Sequence, residues 1–269
     1  MVTLSDETVA AYRRDGVVVL RQVFAAEWID RLRAGLDRNI AAPGPYHRVY
    51  TGADDAGHFF GDYCNWRRIP EYEAVVRGSP AAALARQLMG SRQATFFHEH
   101  VLVKEPGTDK PTPWHHDQPY YCVDGEQNVS LWIPLDPVSR DSAVEFIAGS
   151  HNWDAWFTPK RFVGEDYQET DRDFERMPDI DGHRADYDLR GADLAPGDCV
   201  AFHFRTVHGA PGNRARDRRR RAVALRWIGD DARYVTRPGM MSPPFHEFND
   251  IDLADGAPLT GPWFPVVAR

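Results

Sequence analysis

The clearest structural pattern in the chain lies in one segment, Ala94-Thr95-Phe96-Phe97-His98-Glu99-His100-Val101-Leu102-Val103-Lys104. It is rich in β-branched and aromatic residues. Its even-numbered residues Phe96, His98, His100, Leu102 and Lys104 alternate with Phe97, Glu99, Val101 and Val103. Successive side chains of a strand point to opposite faces of a sheet, so this alternation predicts a β-strand whose even-numbered side chains share one face. The segment therefore marks the point where the chain changes from helical to β structure.

Further strands are predicted after this segment. The candidates are residues 114–121, 129–135, 144–147, 199–207 and 220–228, and turn clusters such as Ala195-Pro196-Gly197-Asp198 separate them. Several short strands with few helices between them are typical of an antiparallel barrel or double sheet. We therefore expect a mainly β fold in this part of the chain.

The residues before Ala94 are predicted to be mostly helical. Helical spacing of apolar residues indicates helices at 5–15, 26–39 and 81–89, with a short buried strand at 17–20 and a loop-rich stretch near 46–66. We expect one domain over residues 1–269, made of a helical cover at about 1–93, a barrel core at about 94–229 and a C-terminal tail at 230–269.

Composition narrows the function classes. Hydrophobic residues make up 42% of the chain, and no apolar run approaches the ~18 residues that a membrane helix needs. Residues 1–7 are acidic and lack the features of a signal peptide, so a cytoplasmic location is expected. A net charge of −8 gives no attraction to phosphate backbones, so we expect no nucleic-acid partner. Three widely spaced cysteines are expected to be reduced, buried thiols. No oligomeric state is predicted.

Chemically versatile residues are concentrated in Thr112-Pro113-Trp114-His115-His116-Asp117-Gln118-Pro119-Tyr120-Tyr121. On a strand, His115 and Asp117 share one face and His116 points to the other. The best candidate for a third ligand is His208, on a later predicted strand. Two imidazoles and one carboxylate, with open positions opposite, form the facial triad of non-haem iron(II) oxygenases.

Each element of this site also has a simpler interpretation. A lone His-x-Asp pair occurs by chance in many proteins, and His203 and His208 are equally compatible with core or loop positions. The arginine-rich run Arg214–Arg221 reads most simply as a solvated basic face. However, this run leads into a predicted strand soon after His208, where a buried guanidinium can bind a carboxylate through two hydrogen bonds.

These residues resemble the phytanoyl-CoA dioxygenase (PhyH) family of Fe(II)/2-oxoglutarate-dependent oxygenases. The resemblance extends over residues 5–235 or so and is most specific between 94 and 229. It rests on the order and spacing of several motifs: Trp114-His115-x-Asp117-x-x-Tyr120, Ser130-Leu131-Trp132-Ile133-Pro134-Leu135-Asp136, Gly149-Ser150-His151, Pro196-Gly197-Asp198, Phe202-His203, His208-Gly209, Asn213 and Arg220-Arg221-Ala222. It implies a double-stranded β-helix, or jelly roll, with a helical layer packed on its outer sheet.

The resemblance also implies roles for particular residues. His115, Asp117 and His208 correspond to the iron(II) ligands, and Trp132 and His100 to residues that line the cosubstrate pocket. The arginine that binds 2-oxoglutarate is Arg219 when eleven residues are counted from His208, and Arg220 when two are counted back from the alanine of the Arg-Arg-Ala run. We favour Arg220, because loops absorb insertions whereas a one-residue slip in a strand reverses every side chain. Arg220 and the alanines at 222 and 224 would then face the pocket.

The sequence departs from the family pattern at three points. His116 replaces a common glutamine, Ala210 replaces a serine that often offers a hydroxyl to 2-oxoglutarate, and the loop after His208 is one residue longer. Asp117 is retained, which argues against halogenation, since family halogenases lack this carboxylate.

The implied reaction consumes 2-oxoglutarate and O2, releases succinate and CO2, and hydroxylates an unactivated C–H bond of a small-molecule substrate. The alternative is a divalent-metal hydrolase or isomerase on the same barrel. We expect residues 46–66, 152–185 and 234–250 to form the substrate pocket, including Trp153, Trp156, Phe157, Arg161, Tyr167, Phe245 and His246.

Overall fold

The computed structural model describes residues 2–158, 174–237 and 241–269. Within these ranges all four α-helices precede Gly90, and most of the strands follow it. The helices are α1 (Asp6–Asp15), α2 (Ala26–Ala41), α3 (Pro70–Gly78) and α4 (Ala81–Met89). The strands are β1 (Val17–Leu20), β2 (Arg48–Val49), β3 (Phe59–Tyr63), β4 (Ala94–Lys104), β5 (Thr112–His115), β6 (Val123–Asp124), β7 (Asn128–Pro134), β8 (Glu145–Ile147), β9 (Leu189–Arg190), β10 (Cys199–Phe202), β11 (His208–Ala210), β12 (Arg220–Ile228), β13 (Arg233–Tyr234) and β14 (Val266–Ala268).

The strands form two main antiparallel sheets. The larger sheet has the order β1-β10-β7-β12-β4-β3-β2, with β14 also paired to β4, and the smaller has the order β5-β11-β8-β9. A cavity lies between them and receives side chains from both. This is the jelly-roll arrangement that the sequence predicted, although in the described residues the two sheets remain separate and do not close into one hydrogen-bonded barrel.

The helices cover the outer face of the larger sheet. Apolar residues of α2, α3 and α4, such as Leu32, Val76 and Leu88, form one core cluster with the outward side chains of β4, β7 and β12. On β12 the residues Val223 and Leu225 belong to this cluster, and full burial of such a side chain stabilises the fold by about 1.5–3 kcal/mol. The predicted helical layer is therefore confirmed, and it fixes which face of β12 is left for the cavity.

Local signals explain the first helix. The Ser5 hydroxyl accepts a hydrogen bond from the Thr8 N–H at 3.2 Å, which caps the start of α1. Gly16 ends the helix at φ 70°, and a Cβ on it would lie 2.4 Å from His151 Nδ1. Only glycine fits this turn without strain. The tight turn places β1 directly beside β10.

A β-bulge changes the predicted alternation of β4. His98 pairs with Arg226 and Phe96 pairs with Trp227, which leaves Phe97 as the extra residue. Phe96 consequently packs in the helical core, whereas His98, His100 and Leu102 line the cavity. The expectation that Phe96 shares a face with His98 is therefore wrong, because a bulge reverses the phase of a strand.

Other boundaries also differ from the predictions. Strand β3 lies where a loop-rich stretch was expected and pairs with β4 in the larger sheet, and α3 lies in a segment for which no element was predicted. The predicted strand at 199–207 ends at Phe202, and the predicted strand at 114–121 ends at His115. The three cysteines are free and buried, as expected. Within the described ranges, no helix combines the length and apolarity needed to cross a bilayer.

Candidate metal centre

His115, Asp117 and His208 come together at one wall of the cavity. His115 ends β5 and His208 begins β11, and the two residues are directly paired across the smaller sheet. The Oδ1 atom of Asp117 lies 3.5 Å from His115 Nε2 and 3.9 Å from His208 Nε2. One ligand atom from each residue falls within 4.8 Å of the others, a spacing that suits a single metal ion.

Backbone carbonyls fix the tautomer of both imidazoles. The Nδ1 atom of His115 bonds the Pro113 carbonyl at 2.7 Å, and that of His208 bonds the Thr206 carbonyl at 2.9 Å. A carbonyl only accepts, so Nδ1 carries the hydrogen in the neutral form of each ring, and in that form Nε2 has the lone pair that a metal needs. Burial, assisted by His115, lowers the pKa of His208 to about 3, which keeps its ring neutral.

Asp117 reaches the site from a turn. The predicted strand through Asp117 is wrong, because the residue has helical backbone angles (φ −76°, ψ −35°) and precedes a short 3-10 turn at Gln118–Tyr120. The Asp117 and Gln118 N–H groups both donate to the Phe204 carbonyl, at 2.7 and 3.1 Å. The carboxylate is therefore held beside the imidazoles by this turn and not by strand alternation.

The charge of Asp117 is balanced by a buried arginine. Arg226 Nη2 lies 3.3 Å from Asp117 Oδ2, and both side chains are almost inaccessible to solvent. Burial raises the pKa of the Asp117 carboxyl, but Arg226 and the two histidines outweigh it and hold that pKa well below its usual range. Asp117 is therefore ionised, as a metal ligand must be.

His116 points away from the three candidate ligands, as predicted. Its Nε2 accepts a hydrogen bond from the Phe157 N–H at 3.1 Å, and burial lowers its pKa to about 3. The neutral ring packs near Trp156 and Phe157. His116 thus supports the chain behind the site.

The two candidate arginines occupy different environments. Arg220 is 7% exposed, lines the cavity and donates to the Ser142 carbonyl, and no carboxylate among the described residues forms an ion pair with it. Burial lowers its pKa to about 10. Arg219 lies outside the cavity and pairs with Glu105 at 2.8 Å, with 42% of its side chain exposed. A buried, unpaired guanidinium is costly unless an anion joins it, and Arg220 alone has that property of the two.

The cavity has a volume of about 540 Å³, within the usual range for small-molecule sites. The triad residues, Arg220, Trp132 and His100 all line it, together with Ala222 and Ala224 of β12. The alternation of β12 thus places a cation and two small side chains on the cavity face, as the favoured register predicted.

Comparison with known proteins agrees with this geometry. The model of the family "Phytanoyl-CoA dioxygenase (PhyH)" matches residues 12–222. The chain belongs to the phytanoyl-CoA dioxygenase family. It is similar to the dioxygenase cdmD of Talaromyces verruculosus, at 26% identity over 81% of this chain and 71% of that protein.

Solved structures of non-haem α-ketoglutarate-dependent enzymes share the fold. The non-haem α-ketoglutarate-dependent epimerase SnoN from nogalamycin biosynthesis is 25% identical with a TM-score of 0.77, covering 98% of each chain. The carbocyclase SnoK from the same biosynthesis is 23% identical with a TM-score of 0.77, covering 99% of this chain and 97% of that chain. This member of the phytanoyl-CoA dioxygenase family is accordingly an Fe(II)/2-oxoglutarate-dependent oxygenase with a jelly-roll fold, and the alternative of a metal hydrolase or isomerase that uses no 2-oxoglutarate gains no support.

The cavity mouth of this family member differs in part from the prediction. The lining includes Tyr46, residues 48–50, Tyr63 and residues 241–244, from two of the three segments expected. The described part of the third segment, 152–185, does not line the cavity; Trp153, Trp156 and Phe157 pack behind it instead. Phe245 belongs to an aromatic cluster and His246 is exposed, while Arg161 and Tyr167 lie outside the described residues.

Two basic side chains of the cavity near Asp117 were not predicted from the sequence. Arg226 and His98 both line the cavity, and Arg226 contacts Asp117. Arg226 continues the same alternation that led from Arg220 through the alanines, so the signal was present two residues further along the strand. His98 lies two residues before His100 on the predicted face of the strand, so the alternation also carried the signal for this residue.

Proposed function

We propose that His115, Asp117 and His208 hold iron(II), that Arg220 binds the distal carboxylate of 2-oxoglutarate, and that the enzyme hydroxylates a C–H bond of a small organic molecule. One observation carries the proposal: a carboxylate and two imidazoles at metal-ligand spacing face the same cavity as a buried arginine with no described carboxylate partner.

The donor set suits iron(II). The Nδ1 atoms of both imidazoles are bonded to backbone carbonyls, which leaves each Nε2 facing the metal position, and Asp117 presents an ionised oxygen. Two histidines and one carboxylate, with open positions, are the ligand set that non-haem iron(II) oxygenases use. Iron(II) bound there would allow O2 to oxidise a substrate C–H bond while 2-oxoglutarate is converted to succinate and CO2.

The remaining wall suits a dicarboxylic cosubstrate. A guanidinium offers a carboxylate two parallel N–H donors, and burial strengthens such a pair by excluding water. Trp132 and His100 lie opposite Ala224 on the two strands that flank β12, and the small alanine side chain leaves space between them. Arg219, which faces Glu105 instead, has no part in this assignment.

The substrate itself would enter past the tyrosines at 46, 50 and 63 and the segment Met241–Pro244. A cavity of about 540 Å³ accommodates a small molecule beside the cosubstrate. The similar structures named above are an epimerase and a carbocyclase, and hydroxylation is the reaction that we propose for this chain. A cytoplasmic location and the lack of a nucleic-acid partner stay predictions from the sequence.

A succinate assay tests the proposal. Purified protein is incubated with iron(II), 2-oxoglutarate, O2 and a panel of small molecules, and succinate formation is measured together with product mass. We expect succinate release that depends on iron(II) and 2-oxoglutarate, with a substrate that gains one oxygen atom. Substrate turnover that proceeds without 2-oxoglutarate would contradict the proposal.

A further inference from the structure

Arg226 lies directly behind the Asp117 carboxylate. It projects from β12 on the same face as Arg220, Ala222 and Ala224, and it is 5% exposed. Its guanidinium also lies 5.5 Å from the ring centre of Tyr121, which closes one side of the arginine. Arg226 is therefore enclosed by the fold and is not a surface cation that happens to reach the site.

The two oxygens of Asp117 have separate partners. Oδ1 faces the two imidazoles, at 3.5 Å from His115 Nε2 and 3.9 Å from His208 Nε2. Oδ2 faces Arg226 Nη2 at 3.3 Å. A carboxylate arranged in this way offers one oxygen to a metal, because the other is already bonded to the guanidinium.

This division matters for the chemistry of the site. A carboxylate can bind a metal through one oxygen or through both, and the second mode uses an additional coordination position. A facial-triad metal needs its open positions for the cosubstrate and for O2. Mutation of a residue that orients a ligating carboxylate typically lowers metal affinity or activity by about 10–100-fold.

Stability alone does not account for the pair. A buried ion pair contributes little net stability compared with apolar side chains of similar size, since both charges lose their hydration. Besides Asp117, the Arg226 guanidinium interacts with the Tyr121 side chain, and its Nε and Nη1 atoms have no geometric hydrogen-bond partner among the described residues. Its bonded nitrogen points at Asp117.

Resting on the proposed function, we propose that Arg226 is a positioning residue that restricts Asp117 to one metal-binding oxygen and so keeps a coordination position open for 2-oxoglutarate. Without Arg226, the freed Oδ2 can turn toward the metal and compete with the cosubstrate. The affinity for 2-oxoglutarate should then fall more than the affinity for iron(II).

The test compares Arg226→Met, Arg226→Lys and Arg221→Met with the unsubstituted protein. Arg221 lies on the same strand but pairs with Asp136 at 2.9 Å, away from the cavity, so Arg221→Met is a matched loss of an arginine–aspartate pair. Anaerobic titration gives the iron(II) affinity, and the visible charge-transfer band of the iron(II)–2-oxoglutarate chelate then gives the cosubstrate affinity. Thermal unfolding of each variant checks the fold.

For Arg226→Met we expect at least about a tenfold loss of 2-oxoglutarate affinity, with a smaller loss of iron(II) affinity and partial recovery in Arg226→Lys. If Arg226→Met does not fold, Arg226→Lys carries the test, because it keeps the buried charge. Cosubstrate affinity equal to that of Arg221→Met, or equal losses for iron(II) and 2-oxoglutarate, would overturn the inference. Failure of the unsubstituted protein to bind iron(II) would instead overturn the proposed function.

Discussion

Arg220→Ala should weaken 2-oxoglutarate binding strongly, whereas Arg219→Ala should not. Arg220 is buried in the cavity, and no described residue forms an ion pair with it, so an incoming carboxylate would meet its charge without competition. Hydrogen bonds to a charged group typically contribute about 1.5–3 kcal/mol, which is roughly a tenfold to hundredfold change in affinity. We therefore expect the apparent KM for 2-oxoglutarate to rise at least about tenfold in Arg220→Ala.

Arg219 provides the control for this measurement. Its side chain is 42% exposed and paired with Glu105, so its loss removes a surface ion pair that is usually worth about 0–1 kcal/mol of stability. The assay is succinate release at varied 2-oxoglutarate concentration, with unfolding curves to show that both variants remain folded. If Arg219→Ala raises the KM and Arg220→Ala does not, the register assigned to the cosubstrate arginine is wrong.

Three further predictions concern other parts of the fold. Burial raises the pKa of Glu99 to about 8 from the ordinary 4.5, so the native state keeps a proton that the unfolded state loses between these values. The contribution of Glu99 to the free energy of unfolding is complete below about pH 4.5 and is lost as the pH rises toward about 8, by up to ~1.4 kcal/mol per pH unit. Denaturant unfolding at several pH values should show this slope, and Glu99→Gln should flatten it. Ala224→Leu places a large side chain between His100 and Trp132, at an overpacking cost of about 1–3 kcal/mol, so a titration should show weaker binding of 2-oxoglutarate. Unchanged binding would mean that Ala224 does not border the cosubstrate. Leu225→Ala opens a cavity under the helices and should lower the free energy of unfolding by about 2–5 kcal/mol, with little change in the KM for 2-oxoglutarate. A change in KM without a loss of stability would contradict the assigned strand faces.

The sequence predicted best where a regular pattern and a burial requirement coincide. The strand at residues 220–228 has the predicted bounds, and its alternation places Arg220 in the cavity and Leu225 in the helical core. A register slip would bury polar side chains against the helices, so one phase is strongly preferred. The predicted helices at the N-terminus follow the same logic, since their apolar residues face the core, and Ser5 caps the first of them.

The predictions failed where local geometry departs from a regular repeat. The bulge at Phe97 reverses the alternation of β4, and Asp117 is placed by a turn bonded to the Phe204 carbonyl. The bulge arises from the pairing of β4 with β12, and the turn depends on a carbonyl far from Asp117 in the chain. No local sequence pattern predicts either feature. The helix α3 was missed although Pro70 stands in its first turn and acidic residues follow, a signal that was present and not used.

The measurement closest to the central claim is anaerobic iron(II) titration of the unsubstituted protein, His208→Ala and His116→Ala. His208 presents Nε2 to Asp117, whereas the Nε2 of His116 is bonded to the Phe157 N–H. We predict one tightly bound iron(II) per chain in the unsubstituted protein and in His116→Ala, and a marked loss of iron(II) affinity in His208→Ala. Equal iron(II) affinity in His208→Ala and His116→Ala would contradict the assignment of His115, Asp117 and His208 as the metal ligands.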